Sequence, residues 1–462
     1  MSNASLPNYL KMAKPNPMSN RAPWYKNTAP TYAGIFLWFV FWMGSKDAPN
    51  AGGLLSHGVW AAIASLVLAA LTCHLFYYIV LGIMGQKTGF PLYIVGTSTF
   101  GAKGGFLMPG FLMGVLQFGW LGVNIYYSAL AILAIDPASL AGKALPFHAI
   151  IAMVVWGVLA AFMGLKGIQY VARIATYLPL IPLATLVIMF VATVGGLGKF
   201  NPADFTTMHK LAVPSAPAML TGFGLVAFII QWVVGFFATA GAAGVDFGTG
   251  SRDERDVHLG GFVGVAIAII VTAGLGILIV AGAAGKGYIT QTAFTTNPYA
   301  LIKTVLGDQL GNVVLILLAV SAFPAACFSS FIAANSFKTT LSNINPFISV
   351  GIGAAVSIIL AVTKLAGDLG SVFALIGASF GPICGAMAVD YMLNGCKWAG
   401  PREGFNPAGW LAWGFGFFIG IMPNLGIPLP IASVWAMIAG AAIYFIAAKA
   451  GLQSKSVPME GA

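Results

Sequence analysis

Long apolar segments recur along the whole chain and restrict what it can fold into. From Tyr32 to Ala448, many of them reach the roughly 20 residues that an α-helix needs to cross the hydrocarbon core of a bilayer. Hydrophobic residues make up 59% of the 462 residues and charged residues only 7%. A soluble globular chain devotes about a quarter of its residues to charged side chains, because these cover its surface. The sequence therefore predicts an all-α polytopic membrane protein.

Apolar runs between turn and charge clusters predict twelve transmembrane helices. They cover residues 32–57, 59–84, 105–134, 147–164, 168–195, 218–245, 258–284, 311–338, 347–364, 369–393, 406–423 and 428–449. The two longest connections, 196–217 and 285–310, lie on the same side and are predicted to be ordered external loops. The four cysteines show no disulfide or metal-ligand spacing and are interpreted as small buried hydrophobes.

The basic residues set the predicted orientation. With the N-terminus inside, fifteen of the 22 Lys and Arg residues lie on the cytoplasmic side, six lie outside, and Lys46 lies within helix 1. Short cytoplasmic loops are typically rich in Lys and Arg, so both termini are predicted to be cytoplasmic in a multi-pass inner-membrane protein. This topology accounts for most of the net charge of +10, and nucleic-acid binding is not expected.

Two predicted helices contain stretches that disfavour a continuous helix. Helix 1 contains GSKDAPNAGG at residues 44–53, and helix 6 contains GFFATAGAAG, which begins at Gly235. Glycine weakens a helix and proline removes a backbone hydrogen bond. The two stretches lie five helices apart, as expected if helices 1–5 and 6–10 are inverted repeats, and such interruptions mark a binding site near the middle of the membrane. The alternative is that the glycines only permit close helix packing.

Helix 3 carries the clearest polar face. Gln117, Trp120 and Asn124 follow the spacing i, i+3 and i+7, so they lie on one side of the helix. An amide that faced lipid would be costly, whereas one that faces a cavity can donate to and accept from the edge of a heterocycle. We interpret these three residues as substrate-binding.

Several motifs, in order along the chain, resemble the nucleobase/cation symporter family that includes bacterial cytosine permease and the hydantoin transporter. They are GQKTG at 85–89, FGAKG at 100–104, QFGWLGVN at 117–124, GPICG at 381–385 and VDYML at 389–393. The resemblance implies a LeuT-type five-plus-five inverted repeat with helices 11 and 12 outside it. The implied segments are a cytoplasmic tail at 1–30, a first repeat at 31–195, an external loop at 196–217, a second repeat at 218–393, helices 11 and 12 at 394–449 and a cytoplasmic tail at 450–462.

The resemblance also implies a substrate site. In such relatives a flat substrate lies between an aromatic residue of helix 3 and one of helix 6, which match Trp120 and Phe237. Gly235 of helix 6 is also assigned to the substrate site. Gln117 matches a glutamine that binds the polar edge of the substrate, and Ser329 matches a polar residue of helix 8. Asp246, at the inner end of helix 6, is a candidate for an inner gate.

The sequence does not decide whether the coupling ion is a proton or sodium. In sodium-coupled relatives two hydroxyl residues of helix 8 help to hold the ion, but Cys327 and Phe328 stand there, and neither suits a hard cation. Lys46 and Asp47 lie in the break of helix 1, where relatives have uncharged residues. One hypothesis is that the Lys46 ammonium replaces the sodium ion, with Asp47 as its counter-ion or as a substrate ligand. The other is that the two residues form a structural ion pair while sodium binds elsewhere.

The predicted function is import of a small planar nitrogen heterocycle, such as a nucleobase, a hydantoin-like compound or a thiamine precursor. The transporter is predicted to be a monomer without a cofactor, coupled to protons or sodium. An amino acid or amine carrier on the same fold is the alternative. The motifs of metalloproteases, serine hydrolases and P-loop ATPases are missing from the sequence, so an enzyme is not expected.

Overall fold

The protein forms a bundle of helices that match the predicted ones in order. The computed structural model describes residues 6–38, 48–175, 177–341 and 343–459. The principal helices are α1 (Thr28–Phe36), α2 (Val59–Thr88), α3 (Phe106–Ile132), α4 (Phe147–Lys166), α5 (Leu180–Lys199), α6 (Gly222–Ala242), α7 (Glu254–Gly285), α8 (Asp308–Thr340), α9 (Pro346–Val362), α10 (Leu369–Leu393), α11 (Pro407–Ile421) and α12 (Ala432–Lys449).

Ten helices among the described residues are long and apolar enough to cross a membrane. Helix α9 is also apolar but has only 17 residues. Helix α1 has nine residues and is followed by positions 39–47, which lie outside the described ranges and include the predicted break at Lys46 and Asp47. The all-helical membrane fold is confirmed, whereas the number twelve stays a prediction.

Helix α6 does not confirm its predicted break at residues 235–244. It continues as α-helix through Gly235 and Gly241 and is interrupted only at Ala243, after which a short helix spans Gly244–Gly248. The glycines permit close contacts instead. A methyl group at Gly235 would lie 2.6 Å from the carbonyl oxygen of Phe373 on α10, and one at Gly241 would lie 2.9 Å from the side chain of Tyr77 on α2. Close helix packing, the alternative to a broken helix, therefore accounts for Gly235 and Gly241.

Helix α10 lies at the centre of the bundle and packs against α6, α11 and α12. Of its most apolar 18-residue window, 83% is buried, against 33% for α12. Two glycines allow the contact with α12, because a methyl group at Gly385 would lie 2.2 Å from the carbonyl oxygen of Met437 and one at Gly381 would lie 2.9 Å from that of Ser433. The helix that carries two of the motifs is thus enclosed by protein rather than lipid.

A buried polar network joins the end of α10 to its neighbours. The Asp390 carboxylate accepts hydrogen bonds from Arg402 Nη2 at 3.0 Å, Tyr444 OH at 2.7 Å and Ser98 Oγ at 2.6 Å. Arg402, only 5% exposed, also donates from Nε to the Ser98 carbonyl at 2.7 Å. A buried charge is tolerated only when it is paired and hydrogen-bonded, and this pair satisfies both conditions.

The segment before α1 packs on the end of the bundle that is predicted to be cytoplasmic. Arg21 donates to the carbonyl oxygen of Gln86 at 2.7 Å, and the Ala22 N–H donates to that of Gly250 at 2.9 Å. The Asn16 side chain donates to the Thr249 carbonyl at 2.9 Å. These bonds connect the N-terminal segment to the end of α2 and to the connection between α6 and α7.

The two long connections each contain a short helix, Pro202–Ala212 and Pro298–Leu306. Both begin with an asparagine cap followed by proline, a sequence that favours a helix start. In the first of these helices, His209 Nδ1 accepts a hydrogen bond from the N–H of Gly52 at 3.1 Å. The loop helix thereby holds the chain that leads from the helix 1 region into α2.

Three of the four cysteines are buried, as interpreted from the sequence, but Cys396 is exposed. It follows α10 in a turn, with a positive φ of 56°. The interpretation of all four as buried hydrophobes was wrong at this position because the helix ends at Leu393, before the cysteine is reached.

Candidate functional site

Trp120 lies at the centre of an aromatic cluster on α3. Its ring contacts Phe236 of α6 at 5.1 Å and 75°, Phe373 of α10 at 5.6 Å and 41°, and Trp38 after α1 at 6.1 Å and 66°. Its indole N–H donates to Thr239 Oγ1 at 3.3 Å, which fixes the orientation of the ring. The structure thus brings helices 1, 3, 6 and 10 together around the tryptophan that the sequence identified. Trp232 of α6 joins the group through its contact with Phe373 at 5.0 Å. We call Trp38, Trp120, Trp232, Phe236 and Phe373 the Trp120 cluster.

The α6 ring in contact with Trp120 is not that of Phe237, whose role in substrate binding stays a prediction. Phe236 contacts Trp120, whereas Phe237 contacts Phe36 at 5.9 Å and 25°, and Tyr32 at 5.8 Å. Successive residues of an α-helix are rotated by about 100°, so Phe236 points toward Trp120, while Phe36 of α1 contacts both phenylalanines at 5.9 Å. Phe237 packs toward α1, and Phe236 is the phenylalanine that faces α3.

Gln117 and Asn124 have different surroundings although they share one face of α3. The Gln117 amide is buried, and its nitrogen approaches the Met113 sulfur at 3.6 Å, a weak contact that a better acceptor can replace. Asn124 donates to the Ala322 carbonyl of α8 at 2.9 Å, and its oxygen accepts from Trp156 Nε1 of α4 at 2.9 Å. Asn124 therefore connects α3 to α4 and α8 in this structure.

The residues predicted on α8 lie inside the bundle. Ser329 and Cys327 are buried, and Phe328 is half-buried. The Cys327 carbonyl oxygen would lie 2.5 Å from a methyl group at Gly164, so this turn of α8 crosses α4 closely. Lys46 and Asp47, assigned to the coupling ion and the substrate, lie outside the described residues.

Asp246 lies just beyond α6, in the short helix Gly244–Gly248. Its Oδ1 accepts the N–H of Leu92 at 2.9 Å, which caps the helix Leu92–Val95 in the connection between α2 and α3. Burial raises the pKa of this carboxyl to about 6, although the hydrogen bond from Leu92 acts in the opposite direction. The structure thus places Asp246 as a titratable link between the end of α6 and the neighbouring connection.

Besides Phe236 and Trp232, three residues in contact with Trp120 were not identified from the sequence. Trp38, Thr239 and Phe373 contact Trp120, but each stands in an apolar run without a polar neighbour that would distinguish it. A weak signal existed for Thr239, since it lies one helical turn after Phe236 and shares its face.

Comparison with known proteins gives consistent results. The model of a family described as permeases for cytosine/purines, uracil, thiamine and allantoin matches residues 15–397. A putative allantoin permease of Escherichia coli K12 is 25% identical over 405 residues, which cover 78% of this chain and 76% of that permease. The cytosine permease of the same strain is 26% identical over 287 residues, which cover 55% of this chain and 63% of the permease.

Solved structures of transporters share the fold. Mhp1 in its inward-facing conformation has a TM-score of 0.62 at 18% identity, with 96% of this chain and 97% of Mhp1 covered. Mhp1, a nucleobase-cation-symport-1 family transporter, in a closed conformation with bromovinylhydantoin bound, has a TM-score of 0.58 at 19% identity, with 98% of each chain covered. A Na⁺-coupled sialic acid symporter has a TM-score of 0.57 at 12% identity, with 95% of this chain and 92% of the symporter covered. These likenesses confirm the LeuT-type fold class.

Proposed function

The chain belongs to the family of permeases for cytosine, purines, uracil, thiamine and allantoin, and on this premise we propose that it imports a small planar nitrogen heterocycle by cation-coupled symport. It is a multi-pass membrane transporter and not an enzyme. Its two E. coli relatives are named for allantoin and cytosine, both nitrogen heterocycles, which supports this substrate class. The proposed location is the inner membrane.

The Trp120 cluster is the observation that carries the proposal. An indole offers a flat apolar face, and stacking against it selects planar molecules. Helices 1, 3, 6 and 10 all contribute a ring to this cluster, so a ligand bound there contacts elements of both predicted repeats. Gln117, one turn before Trp120 on the same face, supplies a buried amide for the edge of the ligand.

The cluster must open to admit a substrate. The Trp120 and Phe236 rings are 5.1 Å apart and meet at 75°. A flat ring between two parallel aromatic faces needs about 7 Å between them, twice the contact distance of ~3.5 Å. Phe236 and Trp120 must therefore rotate and separate by about 2 Å during binding. This movement couples occupancy of the site to the relative position of α3 and α6, which is the property that alternating access requires.

The test is uptake of labelled heterocycles into proteoliposomes by Trp120→Ala and Gln117→Ala, with Trp60→Ala as the control. Trp60 is 82% exposed at the start of α2, so its loss should leave uptake unchanged. Loss of stacking or of the amide should each cost on the order of 1–3 kcal/mol, or roughly ten- to a hundred-fold in affinity. Normal affinity in both site variants would rule out this site, and uptake of amino acids instead of heterocycles would support the alternative carrier.

We propose protons or sodium as the coupling ion, and a single comparison separates them. Uptake is measured with sodium replaced by choline, with and without an inward proton gradient. Dependence on the proton gradient, combined with loss of coupling in Lys46→Ala, would support Lys46 as the substitute for the ion. Strict sodium dependence with an active Lys46→Ala protein would show that Lys46 does not have this role.

A further inference from the structure

Two buried indole N–H groups have no hydrogen-bond partner among the residues that the structure describes, those of Trp38 and Trp232. Buried tryptophans usually pair this group, because an unmade hydrogen bond in the interior is unfavourable. Other tryptophans of this protein follow the rule. Those that donate to a side chain or a carbonyl are Trp120, Trp156, Trp398, Trp410 and Trp413.

Both unpaired indoles belong to the Trp120 cluster. Trp38 contacts the ring of Trp120 at 6.1 Å and 66°. Trp232, one turn before Phe236 on α6, contacts Phe373 at 5.0 Å and 76°, and Phe373 in turn contacts Trp120 at 5.6 Å. The two donors thus come from the first helices of the two predicted repeats and lie at the border of the proposed site.

We propose that Trp38 and Trp232 determine specificity by donating their N–H groups to acceptors on the edge of the substrate. This inference rests on the proposed function. Indole nitrogen is a donor only, so the complementary atoms are acceptors, and we assign this role to exocyclic carbonyl oxygens rather than to ring nitrogens. A site built to hydrogen-bond its ligand rejects an analogue that lacks the partner group, because the buried protein group then stays unpaired.

The consequence is a ranking of heterocycles by their carbonyl groups. Exocyclic carbonyl oxygens project beyond the ring, where they can reach donors at the border of the cluster. A ring with two carbonyls, such as uracil, should bind more tightly than cytosine, which has one. Adenine, with an amino group and no carbonyl, should bind least tightly.

The experiment measures equilibrium binding of uracil, cytosine and adenine to the purified full-length protein by calorimetry. Wild type is compared with Trp38→Phe and Trp232→Phe, which keep an aromatic ring and remove the N–H donor together with part of the indole, so affinity for adenine serves as the measure of lost packing. Trp60→Phe, at an exposed tryptophan, is the matched control. We expect each site variant to lose on the order of tenfold in affinity for uracil, with little change for adenine.

The outcomes separate this inference from the function on which it rests. Suppose that wild type binds heterocycles and that Trp120→Ala abolishes this binding. If Trp38→Phe and Trp232→Phe then bind uracil as tightly as wild type does, the donor role is overturned while the proposed transport function stands. Adenine binding as tightly as uracil would also overturn it. If wild type binds none of the three bases and neither hydantoin nor allantoin, the proposed function fails and the inference fails with it.

Discussion

Replacing Asp390 by asparagine tests whether the buried network at the end of α10 holds the bundle together. The carboxylate is 1% exposed and accepts five hydrogen bonds at 2.6–3.2 Å. Asparagine keeps the shape but removes the charge, so Arg402 is left buried without its counter-ion. Removing one partner of a buried ion pair typically costs about 3–5 kcal/mol, since the remaining charge stays desolvated. Asp390→Asn should therefore lower the free energy of unfolding by about this amount.

The control is the same substitution at the other end of the same helix. Asp368 is exposed and caps α10 by accepting the N–H of Ser371 at 3.2 Å. Asparagine caps a helix about as well as aspartate, so Asp368→Asn should change stability by less than about 0.5 kcal/mol. Thermal and denaturant unfolding of the two variants in one detergent gives the comparison.

A double-mutant cycle completes the test. Arg402→Gln in the Asp390→Asn background should cost much less than Arg402→Gln alone, because the two residues interact directly. An Asp390→Asn protein as stable as Asp368→Asn, or strictly additive effects in the cycle, would refute the conclusion that this ion pair stabilises the fold.

Three further predictions follow from the site and its packing. Phe236→Ala should weaken heterocycle binding at least tenfold more than Phe237→Ala, because the Phe236 ring is the one that faces α3. The reverse order in a binding assay would support Phe237 as the aromatic residue that stacks on the substrate. Gly235→Ala should destabilise the protein by about 1–3 kcal/mol, because the added methyl group would collide with α10. Gly222 has open space around it, so Gly222→Ala should not destabilise the protein. Equal melting temperatures of the two variants would contradict the close contact at Gly235. Burial raises the pKa of Asp246 from 3.8 to about 6, so the folded state binds the carboxyl proton more tightly than the unfolded chain does. The stability that this protonated carboxyl contributes is fully present below about pH 4 and is lost as the pH rises through 6. Asp246→Asn should therefore gain melting temperature relative to wild type between pH 4 and pH 7, and parallel curves would contradict this.

The sequence predicted the positions of the long helices well, because a segment that crosses lipid must be a long apolar helix. Helix α10 spans Leu369–Leu393, as predicted, since an apolar run is bounded there by turn and charge residues. The face of α3 that carries Gln117 and Trp120 was also identified, because amides are rare and costly in such a helix.

Other features of the site depend on packing that the sequence does not encode locally. Phe236 and Phe237 are adjacent and chemically identical, so only the rotation of α6 against α3 distinguishes them. The glycines of α6 are equally compatible with a broken helix and with close helix contacts. Trp38 and Phe373 resemble the many apolar residues that face lipid, and they became recognisable only when the fold brought them to Trp120.

The exposed thiol of Cys396 offers a natural position for a spectroscopic label. The other three cysteines are enclosed by protein, so a maleimide reagent should modify Cys396 first without any cysteine having to be removed. The thiol follows α10, three residues after Leu393, close to the segment before α1 that also borders this region. A fluorophore or spin label on Cys396 can be paired with a second label in the N-terminal segment. The distance between the two labels during a transport cycle would then report whether and when this end of the bundle opens.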